Sequence, residues 1–235
     1  MHEEIDVTTP RGRLATQLGD VIERRWSAEV QAIGVHGSLA HGDDRDGSDV
    51  NVLVVTYRPG AGPRPALRKV DGTFVDLEVV AADDGLRRAR ELTPRWPLEA
   101  DRFVTTRPLH DPDGWFGRLR DTHLTRLAES RPLEFTTLAR HNWALASAAH
   151  TRAVRLAEWY DTDAALVLIA QARLHAALVT GLLTRTYFRS VADAVGKTGV
   201  AGADMQELGA VLKDQSAELT ARGRPVDGTL AQLFE

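Results

Sequence analysis

Residues 34–55 read Gly34-Val35-His36-Gly37-Ser38-Leu39-Ala40-His41-Gly42-Asp43-Asp44-Arg45-Asp46-Gly47-Ser48-Asp49-Val50-Asn51-Val52-Leu53-Val54-Val55. The stretch predicts a buried strand, a tight Gly-Ser turn opening a short helix, a polar loop, and a second strand. On that second strand Asp49 and Asn51 alternate with Val50 and Val52. Side chains two apart on a strand share a face, so the polar pair projects from one side and the valines from the other. A carboxylate at a strand edge beside a Gly-Ser turn suits a divalent cation held against a polyphosphate. Backbone N–H groups and a hydroxyl approach the phosphate oxygens, and the carboxylate takes the cation.

Working outward, Leu14, Leu18, Val21, Ile22 and Trp26 recur at helical spacing and predict an amphipathic helix over 11–27. Strands are expected over 30–35 and 49–56, and the Pro/Gly-rich run 58–65 ends the second. Asp71-Gly72 is a hairpin turn signal. Thr73-Phe74-Val75-Asp76-Leu77-Glu78-Val79-Val80 follows it as a strand on which Asp76 and Glu78 share a face. Asp83 or Asp84 is expected to cap a short helix through Glu91. Pro94 and Pro97 break the chain around Trp96, and a strand is expected over 103–109. From Asp113 onward strand signals vanish. Helices are expected over 114–130, 133–159, 163–188, 190–195 and 203–221. Leu166, Ile169, Ala170, Leu174, Ala177, Leu178 and Leu182 give the middle of this region the broad apolar face of a bundle. The expected fold is therefore α/β (α+β) in two domains, a mixed β-sheet domain over 1–115 and an all-α bundle over 116–235.

Composition narrows the class. A chain of 235 residues with 43% hydrophobic and 26% charged residues is an ordinary globular protein, long enough for two domains. The net charge of -4 argues against a general nucleic-acid binder. Without cysteine there are no disulfides or thiolate metal sites. Met1 to Pro10 lacks the plan of a signal peptide, and no apolar run is expected to cross a membrane. A cytoplasmic protein is expected.

Gly37-Ser38, the Asp49/Asn51 strand and Asp76 on a later strand together resemble the signature of the nucleotidyltransferase superfamily shared with DNA polymerase beta. Within it the chain looks most like the kanamycin nucleotidyltransferase branch, on Ala32-Ile33-Gly34-Val35-His36-Gly37-Ser38-Leu39, on the spacing from Gly37 to Asp49 and Asp76, and on Trp96-Pro97-Leu98. The resemblance runs from about Leu14 to Leu119 and is thin beyond. It implies transfer of a nucleoside monophosphate, AMP from ATP, to a hydroxyl of a small molecule such as an aminoglycoside. It also implies Mg²⁺ and a homodimer. Carried over by position, Gly37 and Ser38 would contact phosphate, with His41 and Ser48 on the same nucleotide side. Asp49 and Asp76 would ligate metal, joined by Asn51 and Glu78.

The departures from that pattern are specific. Asn51 stands where a second carboxylate is expected, so it brings an oxygen to the metal but no charge. Glu78 could compensate from a position about 6–7 Å further along its strand. His41 replaces an arginine and removes a permanent charge. The region expected to supply a glutamate base, 140–155, holds His141 and His150 and no acid. Either imidazole titrates in the right range. Two other readings stay open: a descendant that has lost transfer and uses the cleft for another reaction or for binding, in natural-product biosynthesis or self-resistance, and a nucleotide-binding regulatory or toxin–antitoxin module. Asp43, Asp44 and Asp46 read as solvated loop acids, Lys197 as a helix-terminal charge, and Trp143, Trp159 and Tyr160 as bundle packing.

Overall fold

β-Branched residues at alternate positions assemble one five-stranded sheet. Its strands are β1 (Val30–His36), β2 (Val50–Thr56), β3 (Ala66–Val70), β4 (Thr73–Ala81) and β5 (Arg107–His110), in the order β3-β4-β2-β1-β5. β2 and β4 run parallel and the other neighbours antiparallel, so the sheet is mixed. Asp71 and Gly72, both at positive φ (47° and 85°), make the two-residue turn between β3 and β4. The computed structural model describes residues 5–228, so the first four residues of the polar N-terminal stretch lie outside the described residues.

The sheet's two faces carry different residues. On one, Ile33, Val35, Val50, Val52, Val54 and Val75 cluster with Ala15 and Ile22 of α1 (Pro10–Trp26). Each such aliphatic side chain is worth about 1.5–3 kcal/mol when fully buried. Helix α1 starts where Thr9 accepts from the Gly12 N–H at 3.0 Å, with Pro10 at its first position. Arg11 of this helix donates to the Ser48 carbonyl at 2.9 Å and lies 3.8 Å from both Asp44 and Asp46, which ties down the loop before β2. The short α2 (Ser38–His41) leads into that loop.

On the opposite face, Ala32, Leu53, Val55 and Val80 meet Ala89 of α3 (Ala82–Ala89), Phe103 of α4 (Trp96–Thr105), and Trp115, Phe116 and Leu119 of α5 (Trp115–Glu129). Gly34 is required here, because a Cβ would come within 2.6 Å of Phe116. Asp111 starts α5 by accepting from the N–H groups of Trp115 (2.6 Å) and Phe116 (3.0 Å).

The chain divides into two compact units. One takes the residues up to Glu91 together with Ala100–Glu129; the other takes Leu92–Glu99 and the chain from Ser130 onward. Helix α5 thus belongs with the sheet, and a short earlier segment belongs with the helices, where a single cut at 115/116 was expected. In the second unit α6 (Pro132–Glu158), α7 (Thr162–Thr184), α8 (Val191–Lys197) and α9 (Met205–Ala221) share a core. Ala146, Ala149 and Ala153 of α6 meet Ala172, Ala176 and Ala177 of α7, small residues that let the two helices approach closely.

Four local expectations need correction. The N-cap of α3 is Ala81, and Asp83 and Asp84 sit inside the first turn, where the helix dipole favours them. Residues 103–105 are helical and the strand begins only at Arg107. Trp96, Ala100 and Phe103, all buried, recur at helical spacing, and Pro97 falls in the first turn, where its missing N–H costs nothing. Helix α7 stops at Thr184, with Arg185 left-handed at φ 53°. It also passes the length and hydropathy test for a membrane span, with a mean hydropathy of 1.7 over its most apolar window, against the expectation that no run would. Half of that window is buried inside the protein, the pattern of a core helix.

Candidate functional site

The sheet's polar end is set by register. His36 pairs with Asn51 across β1 and β2, and Asn51 pairs with Asp76 across β2 and β4. Registered neighbours point to the same side of a sheet, so His36, Asn51 and Asp76 form a row across three strands. One step further in, Leu53 pairs with Glu78, and beyond it Val55 pairs with Val80 within the apolar cluster. Asp49 directly precedes β2, two residues before Asn51. Asp49 and Asp76 are both exposed, and neither accepts a hydrogen bond or ion pair from a described residue. They are available to a ligand.

At the end of β1, Gly37 has φ 73° and ψ -151°, and a Cβ there would lie 3.0 Å from the Asn51 amide nitrogen. The Gly-Ser turn and the Asn51 side chain are therefore in contact. Ser38 opens α2 and is partly exposed. Ser48 is differently employed: its hydroxyl accepts from the Arg45 N–H at 2.9 Å and closes the loop turn. The Nε2 of His41 lies 3.0 Å from both carboxylate oxygens of Asp101, a buried residue of α4. That nitrogen is committed to a protein partner rather than to phosphate.

Glu78, expected as a metal ligand, is engaged by two arginines. Its Oε1 accepts from Arg88 at 3.0 Å and its Oε2 from Arg102 at 3.1 Å, so two guanidinium groups occupy both oxygens. Two arginines on Glu78, one step in from the row, change the electrostatics beside it. Burial pushes the His36 imidazole below its ordinary pKa. Glu78 opposes that shift, Arg102 adds to it, and Asp76 and Asp101 oppose it again.

Among the described residues no three His, Asp or Glu side chains converge to hold a metal ion by themselves. Magnesium, however, is usually carried by one or two carboxylates together with substrate phosphates. Asp49, Asn51 and Asp76 lie at one end of the neighbouring strands β2 and β4 and supply the two carboxylates and neutral oxygen that suit such an ion.

The second unit contains the histidines expected as bases. His150 has a structural bond: its Nε2 donates to the Met205 carbonyl at 2.7 Å and ties α6 to α9. His141 is exposed on α6. Its neighbour His175 carries no local sequence signal. His175 on α7 donates from Nδ1 to the Asn142 side-chain oxygen at 2.9 Å, and Asn142 donates to the Pro94 carbonyl at 2.7 Å. Burial lowers the His175 pKa, and His141 and Arg95 lower it further. The available signal was Asn142, a polar residue among the alanines Ala139, Ala146, Ala149 and Ala153 on the buried face of α6. Lys197 pairs with Asp193 at 3.0 Å, one helical turn back, which is a structural role.

No protein-family model matches the chain, and no curated protein matches it. Among solved structures it is similar to a nucleotidyltransferase-like protein from Exiguobacterium sibiricum. The two share 16% identity over 88% of this chain and 75% of that one, with a TM-score of 0.46.

Proposed function

We propose that this protein is a nucleotidyltransferase that moves a nucleoside monophosphate, AMP from ATP, onto a hydroxyl of a small aminoglycoside-like molecule. The observation that carries the reading is the placement of Asn51 beside Asp76 in parallel register, against the Gly37 turn, with carboxylates at Asp49 and Asp76 that no described residue partners. Asp49 and Asp76 would hold Mg²⁺, with the Asn51 oxygen as a neutral third donor. When bound, the ion neutralises triphosphate charge and stabilises the charge that builds up as pyrophosphate leaves. The Gly37-Ser38 turn would receive phosphate oxygens at backbone N–H groups and the Ser38 hydroxyl. The reading takes the protein to be cytoplasmic and a homodimer, as the family resemblance implies.

Calorimetric titration with MgATP tests it. Binding below millimolar is expected, and Asp49→Ala should remove it. No binding by the wild-type chain at millimolar MgATP would end the reading. If MgATP binds, pyrophosphate release with a panel of aminoglycosides tests the acceptor.

A second reading is favoured by one observation, the pairing of Glu78 with Arg88 and Arg102. With an amide at Asn51 and its nearest acidic substitute neutralised, the row suits binding of an anion without turnover. In that case MgATP would bind and no acceptor would release pyrophosphate.

A further inference from the structure

Asp101 is a carboxylate with 4% exposure, and both its oxygens face the Nε2 of His41 at 3.0 Å. Thr105 Oγ1 also donates to it at 3.2 Å, and to the Asp101 carbonyl at 2.8 Å. An ionised carboxylate only accepts, so Nε2 carries the proton. The tautomer is thereby fixed, and Nδ1 is the lone-pair nitrogen. His41 also lines an open pocket of about 570 Å³ shared with Thr105, Thr106, Arg107, Asp111 and Arg120. That volume accommodates a small molecule. His41 ends α2, which starts two residues after His36, so the pair adjoins the His36 end of the His36–Asn51–Asp76 row.

We propose that His41 is the general base of this site, with Asp101 as its positioning residue, and that the adjoining pocket receives the hydroxyl-bearing acceptor. This rests on the nucleotidyl-transfer reading above. The acceptor hydroxyl gives its proton to His41 Nδ1 while its oxygen bonds to the α-phosphorus of the nucleoside triphosphate. The bond from that phosphorus to the β-bridging oxygen breaks, and its electron pair leaves with pyrophosphate. The imidazolium so formed faces the Asp101 carboxylate, which stabilises it, and then releases its proton to water. Asp101 from α4 is the charged group against His41, and Arg107 from β5, Asp111 from the turn before α5 and Arg120 from α5 line the same pocket.

The test uses the full chain, with pyrophosphate release across the acceptor panel and MgATP binding measured side by side. His41→Gln should lower kcat at least about 100-fold, the usual share of a general base, and leave MgATP affinity within about twofold. Asp101→Asn should lower kcat and weaken the preference for the Nε2-protonated tautomer, read by imidazole nitrogen NMR. Asp101→Glu should restore part of both. Wild-type turnover in His41→Gln overturns the base assignment and leaves the transfer reading standing, as does a parallel loss of MgATP binding, which would make His41 a nucleotide contact. No MgATP binding or no pyrophosphate release by the wild-type chain overturns the transfer reading and the base role with it. Imidazole nitrogen NMR of the labelled wild-type chain covers the case of a variant that does not fold: a proton on Nε2 is expected at about pH 8, and a proton on Nδ1 instead overturns the proposal.

Discussion

Asn51 and Asp76 stand side by side in the parallel register of β2 and β4, with His36 completing the row on the far side of Asn51. Neighbouring strands lie about 4.8 Å apart, so a charge at position 51 would be felt directly at Asp76. The amide keeps the row tolerable without a cation and limits what it offers to one.

Asn51→Asp separates those two consequences. Like charges opposed on adjacent strands destabilise, by roughly 0.2–1 kcal/mol relative to neutral pairs. In chelator the variant should therefore melt below the wild-type protein. Adding Mg²⁺ should raise its melting temperature more than it raises that of the wild type, and pyrophosphate release should rise. An identical Mg²⁺ response in the two proteins would show that the row holds no cation.

Gly37→Ala tests the turn. Only glycine adopts φ 73° with ψ -151° readily, and the new Cβ would stand 3.0 Å from the Asn51 side chain. A cost of about 1–3 kcal/mol is expected from the backbone alone. Gly42→Ala is the control: Gly42 is left-handed at φ 68° with open space around it, so its cost of about 1–2 kcal/mol should come without loss of MgATP affinity. Equal effects of the two variants on MgATP binding would remove Gly37 from the site.

The strands of the row were legible because alternation is local. Val50, Val52 and Val54 against Asn51, and Val75 and Leu77 against Asp76, announce both strand and face within a few residues. The Asp71-Gly72 turn is equally local. Helix α4 was not legible, because Phe103, Val104, Thr105 and Thr106 have strand propensity, and only burial of Trp96, Ala100 and Phe103 overrides it. Partners of the site residues were out of reach for a different reason. His41 and Asp101 are 60 residues apart, and Glu78 and Arg102 are 24 apart. No sequence period connects them, so their roles emerge only once the sheet brings α3 and α4 against its polar end.

Glu78→Gln distinguishes an arginine partner from a metal ligand. The side chains of Glu78 and Arg102 are about a third exposed, 30% and 29%, so screening trims the value of their pair. A stability loss of about 1 kcal/mol is expected, and it should shrink in high salt. MgATP affinity should change far less than in Asp76→Asn. A loss matching that of Asp76→Asn would restore Glu78 to the metal.

Stability should fall as the solution is acidified through the histidine range. His123 is fully buried and donates from Nδ1 to the Ala89 carbonyl at 2.9 Å; burial lowers its pKa, and that bond only partly opposes the shift. His175 is lowered in the same direction by burial, then by His141 and Arg95. Both imidazoles therefore stay neutral in the folded protein at pH values where the unfolded chain, with histidine near about 6.5, already takes up protons. Extra protons on the unfolded side favour unfolding, so stability is intact above about pH 6.5 and is lost as pH falls from there toward the folded-state values. Urea midpoints measured from about pH 8 down to pH 5 should trace this decline. His123→Gln keeps a donor for the Ala89 carbonyl and removes one titrating ring. Its midpoint should be lower than wild type at pH 8, for lost packing against Phe103, and should fall less steeply on acidification.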